Sequence, residues 1–495
     1  MIDYAHAGPE KTPRQPKSEG KTTRMKHLHF IGIGGIGMSG LAAWCRALGM
    51  KVTGSDRDAG KSENAHILGP LKKQGAVIFP QDGSYAVSGR PDALVYSSAI
   101  EEDNPDFAAG GGIPRLHRSK LLAELLASLK TCSGIAVAGS CGKSTVTAYM
   151  AEALANCGED PGFLNGAISK RFVSDDSVGN FHAGAGRHFV FEADESDKSL
   201  LNYTPDYAIL LNMGTDHYSR EELARVFAAF LNRVRKGAVV EREVYESVKT
   251  MLANPGLKLR VFDKGPFPGS DCFVSAYGLA ENASGQLIPH AVFNGGSQVK
   301  LPAPGAHTAA NALAVAAMLE MLGFEKTAAL KALERFDGIR RRNDLAGLTA
   351  AGVPVYDDYA HNPEKISSCL KTLREITRGR IFAVFQPHGF GPLGFFRDEL
   401  FTVLESVLRE GDRFFMLPPF YAGGTSKFKP TSQEVIADWH ARSASPERLA
   451  FAGDREQLRA GILKESLPGD LIVIMGARDN SLSLYARSFC SSARH

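Results

Sequence analysis

No stretch of the 495-residue chain comes near the roughly 20 consecutive apolar residues that a membrane-crossing helix needs. Membrane insertion through a helix is therefore not expected. Cysteine pairing is also missing. The seven cysteines (Cys45, Cys132, Cys141, Cys157, Cys272, Cys369, Cys490) are odd in number, scattered and never in C-x-x-C spacing. That argues against a disulfide framework or a zinc ribbon and fits a reducing cytoplasm. An excess of charge is lacking too, since 57 Lys and Arg stand against 54 Asp and Glu for a net +3. A balance so close to neutral gives no reason to expect nucleic acid or a lipid surface as partner. Residues 1–24 are polar and carry no apolar core, so they are not a secretory signal and read as a disordered leader. No short repeat runs through the chain. What remains is an ordinary globular balance, 44% hydrophobic and 22% charged, at a length that suits about three domains.

Two glycine turns dominate what is present. "LHFIGIGGIGMSGLAAWCRALGMKVTGSD" reads as strand, turn, helix, strand. Gly32, Gly34 and Gly37 fit G-x-G-x-x-G, and Asp56 follows 19 residues after Gly37. That pattern holds a dinucleotide or another diphosphate, or merely closes a βα turn. Farther on, "GIAVAGSCGKST" is a strand breaking into Gly139, Ser140, Cys141, Gly142, Lys143, Ser144 and Thr145, followed by a stretch apolar at helical spacing. It is a shortened P-loop, with Val137 where the strict pattern has its first glycine. Backbone N–H groups at such a helix start cradle phosphate, Lys143 reaches the β- and γ-phosphates, and Ser144 suits Mg²⁺. Two such loops in one chain suggest one nucleoside triphosphate and one separate diphosphate substrate.

Other polar residues gather where strands end, as they do in open α/β sheets. "HFVFEADESD" offers Glu192 as a carboxylate for Mg²⁺, which prefers oxygen ligands. "LLNMGTDH" offers His217 either as a metal ligand or as a plain surface histidine. "GIRRR" offers a guanidinium for the γ-phosphate or a solvated basic run. "DDYAHNP" offers Asp358 and His361 facing a nucleotide, or a buried turn. The expected fold is α/β in three domains after the leader. A Rossmann-like N-terminal domain spans 25–130, a central P-loop domain 131–338, and a C-terminal Rossmann-like α/β domain 339–495.

Together, "HFIGIGGIGMSGLA", "GSCGKST", "EADESD", "DH", "PGAHTAANALA", "GIRRR", "DDYAHNP" and "FQPH", in that order, resemble the Mur ligase family of ATP-dependent amide-bond ligases in peptidoglycan synthesis. The resemblance runs from about residue 26 into the C-terminal region. It implies that the first domain holds the UDP part of a sugar nucleotide, with Gly34, Gly35 and Gly37 at the diphosphate and Ser55, Asp56 and Ser97 nearby. It implies ATP and Mg²⁺ in the central domain, with Ser144 and Glu192 on one ion and His217 on a second. Arg341 or Arg342 meets the γ-phosphate, Asn311 and Asp358 help hold the nucleotide, and His361 lies near the reacting centre. The partners implied are UDP-N-acetylmuramate and an amino acid brought by the third domain, in the cytoplasm, by a monomer or homodimer. "FAAFLNRVRKG" lacks the lysine that several relatives carbamylate, which agrees with the alanine-adding branch and so with L-alanine.

The chain also departs from the family pattern. Ser140 and Cys141 replace a threonine and a frequent histidine, Thr308 and Asn362 stand where asparagine and histidine are usual, and "FQPHGFGPLGFF" has Gly389, Phe390 and Gly391 where arginines usually follow His388. Arg478 in "MGARDN" is the cation expected to replace them, beside His388. Three other readings stand beside this one. One is a recycling ligase that attaches a ready-made tripeptide to the same sugar nucleotide. Another is an NAD-dependent oxidoreductase, which leaves "GKST" and "EADESD" without a role. The last is a nonenzymatic nucleotide-gated binder, which the metal-ligand types at Ser144, Glu192 and His217 argue against.

Overall fold

The computed structural model describes residues 25–214, 218–282, 287–421 and 428–491. The leader expected at 1–24 and the expected ligand His217 lie outside them. Two compact units make up the chain. The first takes in residues up to Ile168 with Phe172–Phe262 and Ala314–Ala332, and the second Ser169–Arg171, Asp263–Leu313 and Leu333 onward.

In the first unit, β1 (His27–Ile31), β2 (Lys51–Asp56), β3 (Val77–Pro80), β4 (Ala93–Tyr96) and β5 (Arg115–His117) form a parallel sheet in the order β3-β2-β1-β4-β5. Strand order reverses between β1 and β4, so a crevice opens at their carboxyl ends. Gly32–Gly37 leave β1 there and Ser97 leaves β4. The helix Ile36–Ala47 begins directly in the glycine turn, with Gly35 as its N-cap.

The same unit carries β6 (Ser133–Ala138), β7 (Gly162–Leu164), β8 (Phe181–His182), β9 (His188–Glu192), β10 (Tyr207–Leu210), β11 (Gly237–Glu241) and β12 (Lys258–Asp263), in the order β12-β11-β10-β6-β9-β7-β8. All these pairings are parallel except β7 with β8. β6 thus lies between β10 and β9, and its buried run "IAVA" shows why it reads as continuously apolar. One apolar cluster runs through both sheets, from Leu28 to Val248. Trp44 joins them, stacking on Phe189 with ring centroids 4.5 Å apart and on Phe181 at 5.8 Å.

In the second unit, β13 (Cys272–Glu281), β14 (Leu287–Phe293) and β15 (Ser297–Lys300) form an antiparallel meander. A six-stranded sheet follows, from β16 (Asp344–Leu348), β17 (Pro354–Asp358), β18 (Ile381–Gln386), β19 (Arg413–Met416), β20 (Leu449–Phe451) and β21 (Leu471–Gly476), in the order β16-β17-β21-β18-β19-β20. Only β16 is antiparallel to its neighbour. Helices Pro363–Glu375, Phe390–Val407 and Ser432–Arg442 supply one apolar layer, and Arg455–Glu465 and Ser481–Ser488 the other. Among the described residues no helix is long and apolar enough to cross a membrane.

Candidate active site

The loop after β6 is built on backbone conformations that only glycine takes easily. Gly139 has φ +134° and Gly142 φ +86°, and the helix Lys143–Asn156 starts immediately after. Neighbouring strands hold the loop in place. Asn212, just past β10, turns its amide onto the Cys141 peptide, accepting from its N–H at 2.8 Å and donating to its C=O at 2.9 Å. The Ser140 hydroxyl accepts from Gly214 N–H at 2.8 Å. The Cys141 thiol is on the exposed side of this arrangement, so the loop's shape rests on backbone rather than on that side chain.

Lys143 points back along its own loop. Its Nζ donates to Gly139 O at 2.9 Å and to Glu195 Oε2 at 2.8 Å, with Asp194 at 3.8 Å. Burial alone would depress the ammonium pKa, but Glu195, Asp194 and Glu192 outweigh it and hold the group above its ordinary value. Burial pushes the Glu195 carboxyl up against the pull of Lys143. Burial acts the same way on Asp194, yet there Lys143, Ser196 and Arg118 prevail and the carboxyl sits below its usual range. Lys143 is therefore a cation at neutral pH.

Ser144 Oγ donates to Glu192 Oε2 at 2.8 Å, and the same oxygen accepts from Gly166 N–H at 3.0 Å. Asn165, at the end of β7, donates to Ser144 O at 3.1 Å and leaves a buried Oδ1 with no hydrogen-bond partner. The Ser144 hydroxyl and the Glu192 carboxylate meet here, with the Asn165 side chain anchored on the same residue, and all offer hard oxygen donors of the kind Mg²⁺ takes. Among the described residues no group of three or more His, Cys, Asp or Glu could hold a metal.

At the upstream turn, Gly34 N–H donates to Asp56 Oδ2 at 2.8 Å, and a Cβ on Gly34 would stand 2.7 Å from that oxygen. Asp56 therefore closes the glycine turn. Ser55 is fully buried and its hydroxyl donates to Asp106, so it supports the crevice from beneath. Gly35 and Gly37 flank the helix start, and Ser97 lies on the opposite lip of the crevice.

In the second unit three adjacent strands, β17, β21 and β18, are each followed within three residues by an expected residue, His361, Arg478 and His388 respectively. Asp358 is buried and accepts from Asn343 N–H at 2.6 Å and Ala360 N–H at 2.8 Å, so it shapes the turn from within. His361 Nδ1 is 2.9 Å from Tyr359 O. A carbonyl only accepts, so Nδ1 carries the proton and Nε2 is bare in the neutral ring. Burial, with Lys365, His388 and Arg342 nearby, lowers its pKa to about 4. His388 packs edge-on against His361, centroids 5.1 Å apart, and burial with Arg478 and Lys365 lowers its pKa as well.

The two expected arginines differ. Arg341 donates to Ala477 O at 3.0 Å and Gly476 O at 2.5 Å and lies 3.5 Å from Asp357. Arg342 is exposed and lies over the Tyr359 ring, 5.3 Å from its centroid. Asn311 sits part-buried on the helix Ala306–Met321. The residues the sequence did not single out are Asn165, Asn212, Glu195 and Lys365. The two asparagines had a signal in hindsight, since each is the first polar residue past a strand end.

Three family models cover almost the whole described chain. They are the Mur ligase family catalytic domain at residues 27–130, the Mur ligase middle domain at 137–319, and the Mur ligase glutamate ligase domain at 341–478. A UDP-N-acetylmuramate–L-alanine ligase of Mycobacterium sp. (strain JLS) is 33% identical over 474 residues, covering 92% of this chain and 93% of the relative. The protein of that name from Saccharopolyspora erythraea is 33% identical over 482 residues, covering 94% and 93%. Among solved structures, the UDP-N-acetylmuramate-alanine ligase of Thermotoga maritima matches with a TM-score of 0.75 at 25% identity, covering 94% of this chain and 98% of that one. A murein peptide ligase of Psychrobacter arcticus shares the fold, with a TM-score of 0.65 at 23% identity over 94% and 98% of the two chains. With its three α/β domains matched in order and relatives aligned nearly end to end, the chain belongs to the Mur ligase family.

Proposed function

We propose that this protein is an ATP-dependent ligase that joins UDP-N-acetylmuramate to L-alanine in peptidoglycan precursor synthesis, acting in the cytoplasm. The observation that carries the reading is the end-to-end relationship at 33% identity to ligases of that name. The intact Lys143 and Ser144–Glu192 arrangement supports it.

A carboxylate is a poor acyl donor because oxide is a poor leaving group. In this reading a lactyl carboxylate oxygen attacks the γ-phosphorus of ATP and ADP departs, leaving an acyl phosphate. The alanine amine then attacks the carbonyl carbon, inorganic phosphate departs, and the amine gives up a proton. The first barrier is mainly charge, because an anion approaches a polyanion. Lys143 and Arg342 are the cations assigned to that repulsion. Ser144, Glu192 and the free Asn165 oxygen are the donors assigned to Mg²⁺, which supplies charge neutralisation at the phosphates when bound. His361 presents its bare Nε2, suited to accept a proton from the amine. His388, Lys365 and Arg478 form a basic patch suited to the acceptor carboxylate, and Gly34, Gly35, Gly37 and Ser97 line the crevice assigned to the UDP diphosphate.

A tripeptide acceptor on the same sugar nucleotide is favoured by one observation. The helix Phe390–Val407 that follows His388 opens with aromatic and glycine residues and no arginine in its first turn, which suits a bulkier acceptor.

The test uses UDP-N-acetylmuramate labelled with heavy oxygen in its lactyl carboxyl, ATP, Mg²⁺ and either L-alanine or the tripeptide. Label is expected in the released inorganic phosphate with L-alanine, and Lys143→Ala is expected to abolish that release. Unlabelled phosphate would remove the acyl-phosphate route, and turnover with the tripeptide alone would move the acceptor assignment.

A further inference from the structure

The acidic run after β9 does more than offer Glu192. Asp194 lies 3.8 Å from the Lys143 ammonium on one side and 3.8 Å from the Arg118 guanidinium on the other, and Asp197 lies 3.7 Å from Arg118. Two cations thus flank one carboxylate, one from each glycine-loop region of the first unit. Arg118 opens the helix Arg118–Ser128, directly after β5, on the same side of the first sheet as the glycine turn. Its Nη1 would stand 3.0 Å from a Cβ placed on Gly37. The guanidinium therefore lies against the start of the helix Ile36–Ala47, where backbone N–H groups and the helix dipole already favour an anion.

Among the described residues no hydrogen bond engages the Arg118 guanidinium. Its contacts to Asp194 and Asp197, at 3.7–3.8 Å, are ion pairs too long to be hydrogen bonds. Its Nε is buried with no hydrogen-bond partner. The side chain is nonetheless 31% exposed, and Nη1 is the atom set against Gly37. Burying an arginine without hydrogen bonds is costly, and a planar fork matches two oxygens of a phosphate. Asp194 and Asp197 hold the guanidinium in position without occupying its donors.

We infer that Arg118 binds the diphosphate of the sugar-nucleotide donor, together with the Gly35–Gly37 turn, and that Asp194 and Asp197 hold its guanidinium in place for that contact. The inference rests on the donor being a UDP-sugar, as proposed above. It assigns a binding role to a residue outside every motif that carried the family resemblance.

The test is calorimetric titration of the full chain and of Arg118→Gln and Arg118→Lys with three probes: UDP-N-acetylmuramate, UDP-N-acetylglucosamine and ADP with Mg²⁺. UDP-N-acetylglucosamine has the diphosphate and lacks the lactyl carboxylate. Arg118→Gln is expected to weaken both UDP-sugars by about tenfold or more, the loss of a charge-assisted paired contact. Arg118→Lys is expected to recover part of that loss, and ADP affinity is expected to stay within about twofold in both variants, which also reports that they are folded. Unchanged UDP-sugar affinity overturns the inference. So does a matching loss for ADP, which would place the effect in the Asp194–Lys143 link. A loss confined to UDP-N-acetylmuramate would move Arg118 to the carboxylate and overturn the diphosphate assignment. If the unaltered chain bound ADP but neither UDP-sugar, the donor reading itself would fall, a result distinct from any defect of the variants.

Discussion

Arg341 has a left-handed backbone, φ +61°, and its guanidinium is bound to the Gly476 and Ala477 carbonyls. Its neighbour Arg342 keeps its guanidinium exposed over Tyr359. The run "IRRR" presents both as equivalent, since one residue of backbone cannot say which side chain turns inward. The packed sheet separates them, because Arg341 turns inward onto the carbonyls at the end of β21 while Arg342 stays at the surface. Arg342→Ala is accordingly expected to lower kcat by about 10²- to 10³-fold with little change in urea midpoint, the effect of losing a charge aimed at a transition state. Arg341→Ala is expected to cost about 1–3 kcal/mol of stability, the cost of unpaired buried groups. Steady-state rates and urea unfolding of the two variants check this, and the reverse pattern would exchange their roles. Ser55 and Asp358 carry a similar lesson. Ser55 was implied by the family resemblance and Asp358 read from "DDYAHNP", but only the packed structure shows that Ser55 turns to Asp106 and Asp358 to the backbone of Asn343 and Ala360.

At the scale of elements, strand–turn–helix order was legible because each unit carries its own local signals. Val137 illustrates why the shortened P-loop works. It is a buried strand residue paired with Glu192 across β6 and β9, and the turn opens only at Gly139. A glycine at position 137 is therefore not needed for the turn, whereas Gly142 is the αL residue that caps the helix. Gly142→Ala is expected to destabilise the fold by about 1–2 kcal/mol, the cost of a left-handed backbone with a Cβ. It is also expected to weaken ATP binding, because the N–H groups of the loop would turn away. Thermal unfolding with and without ATP measures both, and an alanine variant that binds ATP normally would show that the loop tolerates a different path. The Asn212 clamp on Cys141 was not legible, since it joins positions 71 residues apart and depends on β10 lying beside β6.

At the scale of the molecule, the apolar cluster of the first unit makes one body of the two sheets, with Trp44 at their junction. Each unit also holds a histidine in its neutral form, His29 buried and His361 partly buried. His29 is buried, stacks on Tyr85 with centroids 3.8 Å apart, and has its pKa lowered to about 3 by burial and by His27. His361 is held near 4. A depressed folded pKa means that the unfolded chain binds more protons once pH falls below about 6.5, so stability present at neutral pH is lost on acidification. Between pH 6 and pH 4.5 each group is expected to remove on the order of 1.4 kcal/mol per pH unit. Urea midpoints should therefore fall steeply over that window, and His29→Gln should flatten the decline in the first unit. Midpoints that do not move with pH would contradict the neutral form of both rings.

The sequence by itself determined the three α/β blocks, the two glycine turns and the residue types at strand ends, because strand period, helix period and positive-φ glycine are local properties of the chain. The tertiary structure alone decided which of those polar side chains face a crevice and which support it. It also decided that Arg118, from outside every motif, stands against the first turn while sharing Asp194 with the lysine of the second. Such choices depend on strand order and burial, and these bring together residues that no local spacing relates.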